Sequence, residues 1–210
     1  MKRTYIFGLL LAVSGAALPE PSSKLAWTPD NLALVKGGDP AKGKPLAESC
    51  AACHGAGGTA PSLQGQLATY LYKQMHDYKD GSRDNAVMAG MVSGLSEQDM
   101  ANIAAYYAGQ DLPAGEKADA ADSAVQLVKE GDPRRILPPC QACHEPDGRG
   151  QKIDMPALAG QNAAYTRQTL LDYRGGARHN DLYGRMRTLS QQLSDEEIEQ
   201  LAKYYSGLGR

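Results

Sequence analysis

The pentapeptide Cys-x-x-Cys-His occurs twice in this chain of 210 residues, as CAACH at 50–54 and as CQACH at 140–144. The two copies contain all four cysteines of the sequence. Four cysteines in an exported chain of this size are typical of two disulfides, and two Cys-x-x-Cys pairs can also hold a zinc ion. A thioredoxin-like redox pair is a third reading, but it needs a strand and helix context that the sequence lacks. None of these readings explains the histidine that directly follows each pair.

Covalent haem attachment does explain that histidine, because Cys-x-x-Cys-His is its signature. The two thiols form thioethers to the vinyl groups of one porphyrin, and the adjacent histidine reaches the iron from one face. His54 and His144 are therefore predicted axial ligands. The predicted haem-attaching residues are Cys50, Cys53, Cys140 and Cys143. Two haem c groups would also supply apolar bulk to a chain whose single phenylalanine is Phe7.

An internal repeat extends beyond these motifs. The segment PSLQGQLATYLYKQMHDYKDGSRDN at 61–85 matches PALAGQNAAYTRQTLLDYRGGARHN at 156–180, and LSEQDMANIAAYYAG at 95–109 matches LSDEEIEQLAKYYSG at 193–207. Apolar residues recur in the first pair at the i, i+4, i+7 spacing of a helix. The second pair opens with Ser-x-x-acid, a helix-start signal. We predict an all-α fold of two tandem domains, each with one covalent haem.

The repeat also indicates a second axial ligand for each iron. Met88 aligns with Met186, and each lies seven residues before the Leu-Ser pair that opens the last helix. Met91 aligns with a leucine, so packing is its predicted role. His76 and His179 have no histidine counterpart in the other half, and both are predicted to be solvated surface residues. A thioether ligand raises the reduction potential relative to a more basic ligand.

Two filled axial positions leave no place on the iron for peroxide or oxygen. The predicted activity is therefore outer-sphere electron transfer by a carrier, and the chain is not expected to be an enzyme. Two alternatives stay open. A dihaem peroxidase or a c-type sulfur-compound dehydrogenase also carries two such motifs, and an oxidase-associated cytochrome subunit would keep its N-terminal segment as an anchor.

The N-terminus has the pattern of an export signal. Lys2 and Arg3 precede an apolar stretch at 5–13, and small residues follow at 14–17. Residues 1–26 are predicted to be a signal peptide, either cleaved or retained as an anchor. The rest of the chain is then expected in the periplasm, free or attached to the outer face of the inner membrane.

Composition predicts the domain boundaries, and net charge bears on the type of partner. The cytochrome domains are placed at 27–111 and 124–210, with a polar, alanine-rich linker at 112–123 between them. The formal net charge is −2, and it becomes −4 without the two N-terminal cations, which argues against nucleic acid as a partner.

These residues together resemble the dihaem cytochrome c4 family over nearly the whole chain after the signal. The resemblance rests on CAACH and CQACH, on the Pro-x-Leu-x-Gly-Gln segments at 61 and 156, on the Met-to-Leu-Ser spacing and on the paired final helices. It implies two cytochrome c domains related by a pseudo-twofold axis, with haem propionates near the interface. It also implies a periplasmic carrier between a quinol-oxidising complex and a haem-copper terminal oxidase, often loosely associated with the membrane. A small copper protein is a further candidate acceptor.

The resemblance also suggests roles for residues around the haems. Pro61 and Pro156 look like the prolines whose carbonyls accept the ring N–H of the axial histidines, with simple turn prolines as the alternative. Arg83 and Arg178 occupy matching positions, either paired with propionates or solvated at a helix end. The chain departs from the family in a shorter segment before the second motif and in the stretch TPDNLALVKGG at 28–38, which reads as a lead-in.

Overall fold

The structure is a computed structural model that describes residues 22–55, 60–116, 119–151 and 153–209. The predicted export signal falls, for residues 1–21, outside the described residues. Within them the chain forms eleven α-helices, two short 3-10 helices and two isolated β-bridges, with no strand, which confirms the all-α prediction. The α-helices are α1 (Pro29–Lys36), α2 (Pro40–Leu46), α3 (Glu48–His54), α4 (Ala68–Asp80), α5 (Ala86–Val92), α6 (Glu97–Ala108), α7 (Asp122–Lys129), α8 (Gln141–His144), α9 (Ala163–Gly175), α10 (Arg185–Ser190) and α11 (Asp195–Gly207).

In the first domain the central helix is α6, and α1, α2 and α4 pack against it. The helix begins with the predicted capping box: the Ser96 hydroxyl accepts the Asp99 backbone N–H, and the Asp99 carboxylate accepts the Ser96 backbone N–H. The apolar residues Met100, Ile103 and Tyr107 recur at the i, i+3, i+7 spacing of a helix, and all are less than 5 % exposed. Periodicity and capping thus placed this helix correctly.

The second domain repeats the arrangement around α11, which packs against α7 and α9, while α10 packs against α9. Ser194 and Glu197 form the equivalent capping box. Ile198, Leu201 and Tyr205 line the buried face of α11. The two halves of the sequence repeat therefore fold into two similar helical domains.

Residues ahead of the predicted domain start at 27 pack on the first domain. Leu25 is buried in its core, and the Ser23 hydroxyl donates to Asp77 Oδ1 at 2.6 Å. Helix α1 contacts both α4 and α6, so the stretch read as a lead-in is an integral helix of this domain. The boundaries remain a prediction, but these contacts favour a first domain that already includes residue 23.

The segments ahead of the two Cys-x-x-Cys-His motifs differ in structure. In the first domain Asp39 caps α2. In the second domain a single 3-10 turn, Pro133–Arg135, takes its place, capped by Asp132. The Arg135 guanidinium binds the carboxylates of Asp132 and Glu197 at 2.9 and 2.8 Å, which ties this shorter segment to α11. The compression seen in the sequence therefore corresponds to the loss of one helix.

The linker packs against equivalent glycines of both domains. Gly65 has φ +65°, and a Cβ there would lie 2.7 Å from the backbone nitrogen of Leu112. Gly160 has φ +68°, and a Cβ there would lie 2.4 Å from the carbonyl oxygen of Pro113. Further along, the Glu116 N–H donates to the backbone of α11 at 2.9 Å. The linker is thus held on both domains.

Candidate haem sites

The first Cys-x-x-Cys-His motif forms α3, which carries His54 into the interior of the first domain. The His54 side chain is 9 % exposed, and its Nδ1 lies 2.7 Å from the carbonyl oxygen of Pro61. A carbonyl can only accept, so Nδ1 carries the proton. The other ring nitrogen, Nε2, is then the one available to a metal.

The second motif repeats this geometry on α8. His144 is 8 % exposed, and its Nδ1 lies 2.9 Å from the carbonyl oxygen of Pro156. Burial lowers the pKa of His144, with the bond to Pro156 acting in the opposite direction. A neutral ring is the form that binds a metal. Both prolines therefore make the contact that the family resemblance implied.

None of the four cysteines forms a disulfide. Among the described residues, none of them belongs to a cluster that could hold a metal ion, so the structure supports neither the disulfide nor the zinc reading. Cys50 and Cys140 lie against the apolar cores of their domains, and burial raises the pKa of Cys140 to about 11. Each pair shares one helical turn with its histidine, as attachment to a single porphyrin requires.

The predicted methionine ligands lie on equivalent short helices. Met88 is half-buried on α5, and its backbone N–H donates to the capping side chain of Asn85 at 3.0 Å. Met186 is half-buried on α10, where Asp181 accepts both the backbone and the side-chain N–H of the next residue, Arg187. Met91 is 45 % exposed. The axial roles of Met88 and Met186 stay predictions.

The two spare histidines are not the fully solvated residues that were expected. His76 Nδ1 lies 3.3 Å from Asp80 Oδ2, one turn further along α4, and its side chain is 22 % exposed. His179 is half-buried beyond the end of α9. His76 therefore already has a carboxylate partner on its own helix.

Two arginines meet at the boundary between the domains. Arg83 Nη1 and Arg178 Nη2 both donate to Gln74 Oε1, at 2.8 and 3.1 Å. Each guanidinium also lies 4.6 Å from a tyrosine ring centroid, Arg83 over Tyr78 and Arg178 over Tyr173. Among the described residues neither has a carboxylate within ion-pair distance. Arg178 is 5 % exposed, so its reading as a solvated helix-end residue is wrong.

The charge of this arginine pair acts on Tyr165. The Tyr165 hydroxyl accepts a hydrogen bond from Arg83 Nη2 at 3.2 Å. Burial acts to raise the pKa of Tyr165, but Arg83 and Arg178 lower it to about 7. Within the described part of the chain neither guanidinium has a carboxylate within ion-pair distance, so the region around Gln74 and Tyr165 is positively charged and favours an anionic group.

Sequence reasoning missed a buried polar cluster where α4 meets the second domain. Lys73 Nζ lies 2.8 Å from Asp77 Oδ2, and the two side chains are 1 % and 0 % exposed. Asn180 of the second domain donates to the same Asp77 oxygen at 2.6 Å, and its carbonyl accepts from Lys73 at 2.5 Å. The i, i+4 spacing of Lys73 and Asp77 was the available signal, but that spacing is equally typical of an exposed ion pair.

The residues present fit a covalent haem c in each domain. Each motif offers two thiols and a buried imidazole whose Nδ1 proton is already bonded, which is the donor set of c-type attachment. Several buried polar atoms also have no hydrogen-bond partner within the described part of the chain and are available to a large group with acceptor atoms. Those that can donate include Trp27 Nε1, Tyr72 Oη, Thr166 Oγ1, Ser190 Oγ and Tyr205 Oη.

Known proteins resemble the chain over most of its length. Cytochrome c4 of Pseudomonas aeruginosa is 39 % identical over 179 residues, covering 81 % of this chain and 89 % of that protein. The crystal structure of reduced recombinant cytochrome c4 from Pseudomonas stutzeri matches with a TM-score of 0.77 and 37 % identity, covering 81 % of this chain and 99 % of that one. A thiosulfate dehydrogenase electron acceptor from Thiomonas intermedia is 36 % identical over 171 residues, covering 76 % of this chain and 78 % of that protein.

Two helical domains, each with one Cys-x-x-Cys-His helix and a buried, oriented histidine, define a dihaem c-type cytochrome. The family model described as Cytochrome c matches residues 40–109 and 136–208, once in each domain. The chain belongs to the dihaem cytochrome c4 family, and it carries two covalently bound haem c groups.

Proposed function

We propose that this cytochrome is a periplasmic electron carrier that receives electrons from a respiratory donor and delivers them to a terminal oxidase. The observation that carries the proposal is the equivalence of the two sites. In each domain a buried histidine has its Nδ1 held by a proline carbonyl, and a methionine lies at the matching position of a short helix. When bound, each haem supplies an iron that alternates between Fe(II) and Fe(III).

The chain's own residues fill the coordination positions in this proposal. Thioether attachment is assigned to Cys50, Cys53, Cys140 and Cys143, and axial ligation to His54, Met88, His144 and Met186. Ligands that stay in place in both oxidation states keep the structural cost of electron transfer low. They also leave no position for a substrate, which favours a carrier over an enzyme.

Arg83 and Arg178 are proposed to bind haem propionates at the domain boundary. The support is the pair of guanidiniums that both bond to Gln74, neither of which has a carboxylate within ion-pair distance among the described residues. A guanidinium suits a carboxylate through two parallel hydrogen bonds. Positive charge near the haems would also disfavour the ferric state and raise both reduction potentials.

Redox proteins are the proposed partners. The donor is a quinol-oxidising complex or a small redox protein, and the acceptor is a haem-copper oxidase or a small copper protein. The predicted signal at 1–26 would direct the protein to the periplasm, with peripheral association with the inner membrane. No helix in the described ranges is long and apolar enough to cross a membrane.

A second candidate function is to accept electrons from a sulfur-compound dehydrogenase. The similarity to the thiosulfate dehydrogenase electron acceptor of Thiomonas intermedia favours it. The two functions differ only in the donor, so the rates of reduction by a quinol-oxidising complex and by a thiosulfate dehydrogenase would separate them.

A redox titration of the purified protein and of two variants tests the carrier proposal. The unmodified protein should hold two haems per chain, show the weak far-red band of sulfur-ligated ferric haem and bind no carbon monoxide when reduced. Met88→His and Met186→His should each remove half of that band and lower the potential of one haem, because imidazole is the more basic ligand. Met91→Leu, a neighbouring substitution on α5, should change neither. Prompt carbon monoxide binding by the unmodified protein would instead indicate an open site and an enzyme.

A further inference from the structure

Two equivalent glutamines reach across the domain boundary. Gln66 and Gln161 each end a Pro-x-Leu-x-Gly-Gln segment, and they are 6 % and 8 % exposed. Gln161 of the second domain contacts Ser62 of the first: the Ser62 N–H donates to Gln161 Oε1 at 3.0 Å, and Gln161 Nε2 donates to the Ser62 carbonyl at 3.0 Å. Gln66 makes the same pair of bonds with Ala157 of the second domain, both at 2.9 Å.

Each glutamine thereby binds the peptide group that orients the other domain's histidine. The carbonyl of Pro61 and the N–H of Ser62 belong to one planar peptide unit. The carbonyl end accepts from His54 Nδ1 at 2.7 Å, while the N–H end donates to Gln161. The unit between Pro156 and Ala157 is bonded in the same way to His144 and Gln66.

A peptide unit that is hydrogen-bonded at both ends is polarised along its length. An N–H that donates to an amide oxygen makes the carbonyl of the same unit a stronger acceptor, because bonds in a chain reinforce one another. A stronger acceptor on Nδ1 makes the histidine a more basic metal ligand, and a more basic ligand stabilises the ferric state. Gln161 therefore acts on His54 through one peptide, although it lies in the other domain.

We propose that Gln161 lowers the reduction potential of the haem in the first domain, and that Gln66 does the same for the haem in the second. Each domain thus carries the positioning residue that tunes its partner's haem. The proposal rests on the carrier function above, and specifically on His54 and His144 as axial ligands.

Two matched substitutions test this exchange. Gln161→Leu keeps the bulk of the side chain but removes both bonds to Ser62, together with the local bond from the Asn162 N–H. The potential of the first haem should therefore rise while that of the second stays unchanged. Gln66→Leu should give the mirror image. The haems are told apart by the paramagnetic NMR signals of the ferric protein, assigned to each domain with Met88→His and Met186→His.

Thr69→Val is the control for a loosened interface. The Thr69 hydroxyl donates across the same boundary to the Ile153 carbonyl at 2.7 Å, and it forms no hydrogen bond with either proline peptide. This variant should produce no selective shift in either haem. If Gln161→Leu leaves the first potential unchanged, or shifts both haems alike, the proposal is wrong.

If Gln161→Leu does not fold, Gln161→Glu provides a second test of the effect of Gln161 on the potential of the first haem. Its carboxylate can no longer donate to the Ser62 carbonyl. It can still accept the Ser62 N–H and polarises that peptide more strongly, so the first potential should fall rather than rise. A rise in this variant contradicts the proposal. A wrong assignment of the axial ligands would be detected by a different measurement. The unmodified protein would then bind carbon monoxide or lack the far-red band.

Discussion

Lys73 and Asp77 form an ion pair that is closed off from solvent, with Nζ 2.8 Å from Oδ2 and both side chains no more than 1 % exposed. The pair lies on the side of α4 that meets the second domain. Asn180 contacts both members, and the Ser23 hydroxyl donates to the other Asp77 oxygen. Charges buried in this way are stable only together, because neither can be hydrated alone.

Lys73→Met should therefore destabilise the protein strongly. Removing one partner of a buried ion pair costs about 3–5 kcal/mol, since the remaining charge is left uncompensated. The double variant Lys73→Met/Asp77→Leu should lose far less, because two apolar side chains of similar size can replace such a pair. Guanidinium unfolding followed by circular dichroism gives both free energies. A double variant as unstable as the single one would contradict this view of the pair.

Asp154 should make stability depend on pH between about 4 and 6. Burial raises the pKa of Asp154 to about 6, with Lys73 acting against the rise and Asp77 reinforcing it. The native state then binds the proton more tightly than the unfolded chain, so stability falls as pH rises from about 4 to 6. Arg178 and the Leu182 backbone, which also face this carboxyl, act to lower its pKa.

The substitution Asp154→Asn isolates this effect. It should raise the free energy of unfolding at pH 7.5 by up to about 3 kcal/mol and remove the corresponding pH dependence. Thermal unfolding between about pH 4 and 7.5 measures both. Asp147→Asn is a suitable control, because that carboxylate is exposed and, among the described residues, bonds only to Arg149 nearby, through a surface ion pair and the backbone N–H.

Gly160→Ala should be much more harmful than Gly176→Ala. Both glycines have positive φ, +68° and +78°, so alanine at either position carries a backbone strain of about 1–2 kcal/mol. A Cβ at Gly160 would also lie 2.4 Å from the carbonyl oxygen of Pro113, whereas nothing lies within 4 Å of one at Gly176. The difference between the two melting temperatures therefore measures the contact with the linker. Equal losses would mean that this contact does not hold the linker in place.

Arg178→Met tests the proposed propionate site. Loss of a buried positive charge favours the ferric state, so the haem potentials should fall. Arg178→Lys, which keeps the charge without the planar fork, should give a smaller change. Arg174→Met is the control, because Arg174 is 30 % exposed and pairs with Asp195 instead. If the reduction potentials are unchanged in Arg178→Met, the proposal that Arg178 binds a haem propionate is wrong.

The repeat in the sequence predicted much of this architecture. Matched apolar spacing located α4, α6, α9 and α11, and the serine caps marked the starts of α6 and α11 correctly. These features are local, since a turn of helix and its cap involve residues within a few positions of one another. The histidine contacts with Pro61 and Pro156 span only 7 and 12 residues, and the family resemblance already implied them.

The contacts that the sequence did not predict are those between the two domains. Lys73 and Asp77 have the spacing of a surface pair, but they are buried where the second domain, with Asn180 in contact with both, packs on α4. Gln66 and Gln161 recur in both halves, but their partners lie 91 and 99 residues away. No periodic pattern in one domain specifies such contacts, because they form only when the surfaces of the two folded domains pack together.

The packing of the linker on Gly65 and Gly160 affects the rate of electron transfer between the two domains. A chain tethered by a loose segment would exchange electrons between its halves only when thermal motion brought them together, and a more viscous solvent would slow that exchange. With the linker seated on both halves, we expect the internal hop to be indifferent to viscosity, while encounters with donor and acceptor still slow down. Diffusion would then limit electron exchange with the partners, whereas the fixed separation of the two domains would set the rate of electron transfer between the haems.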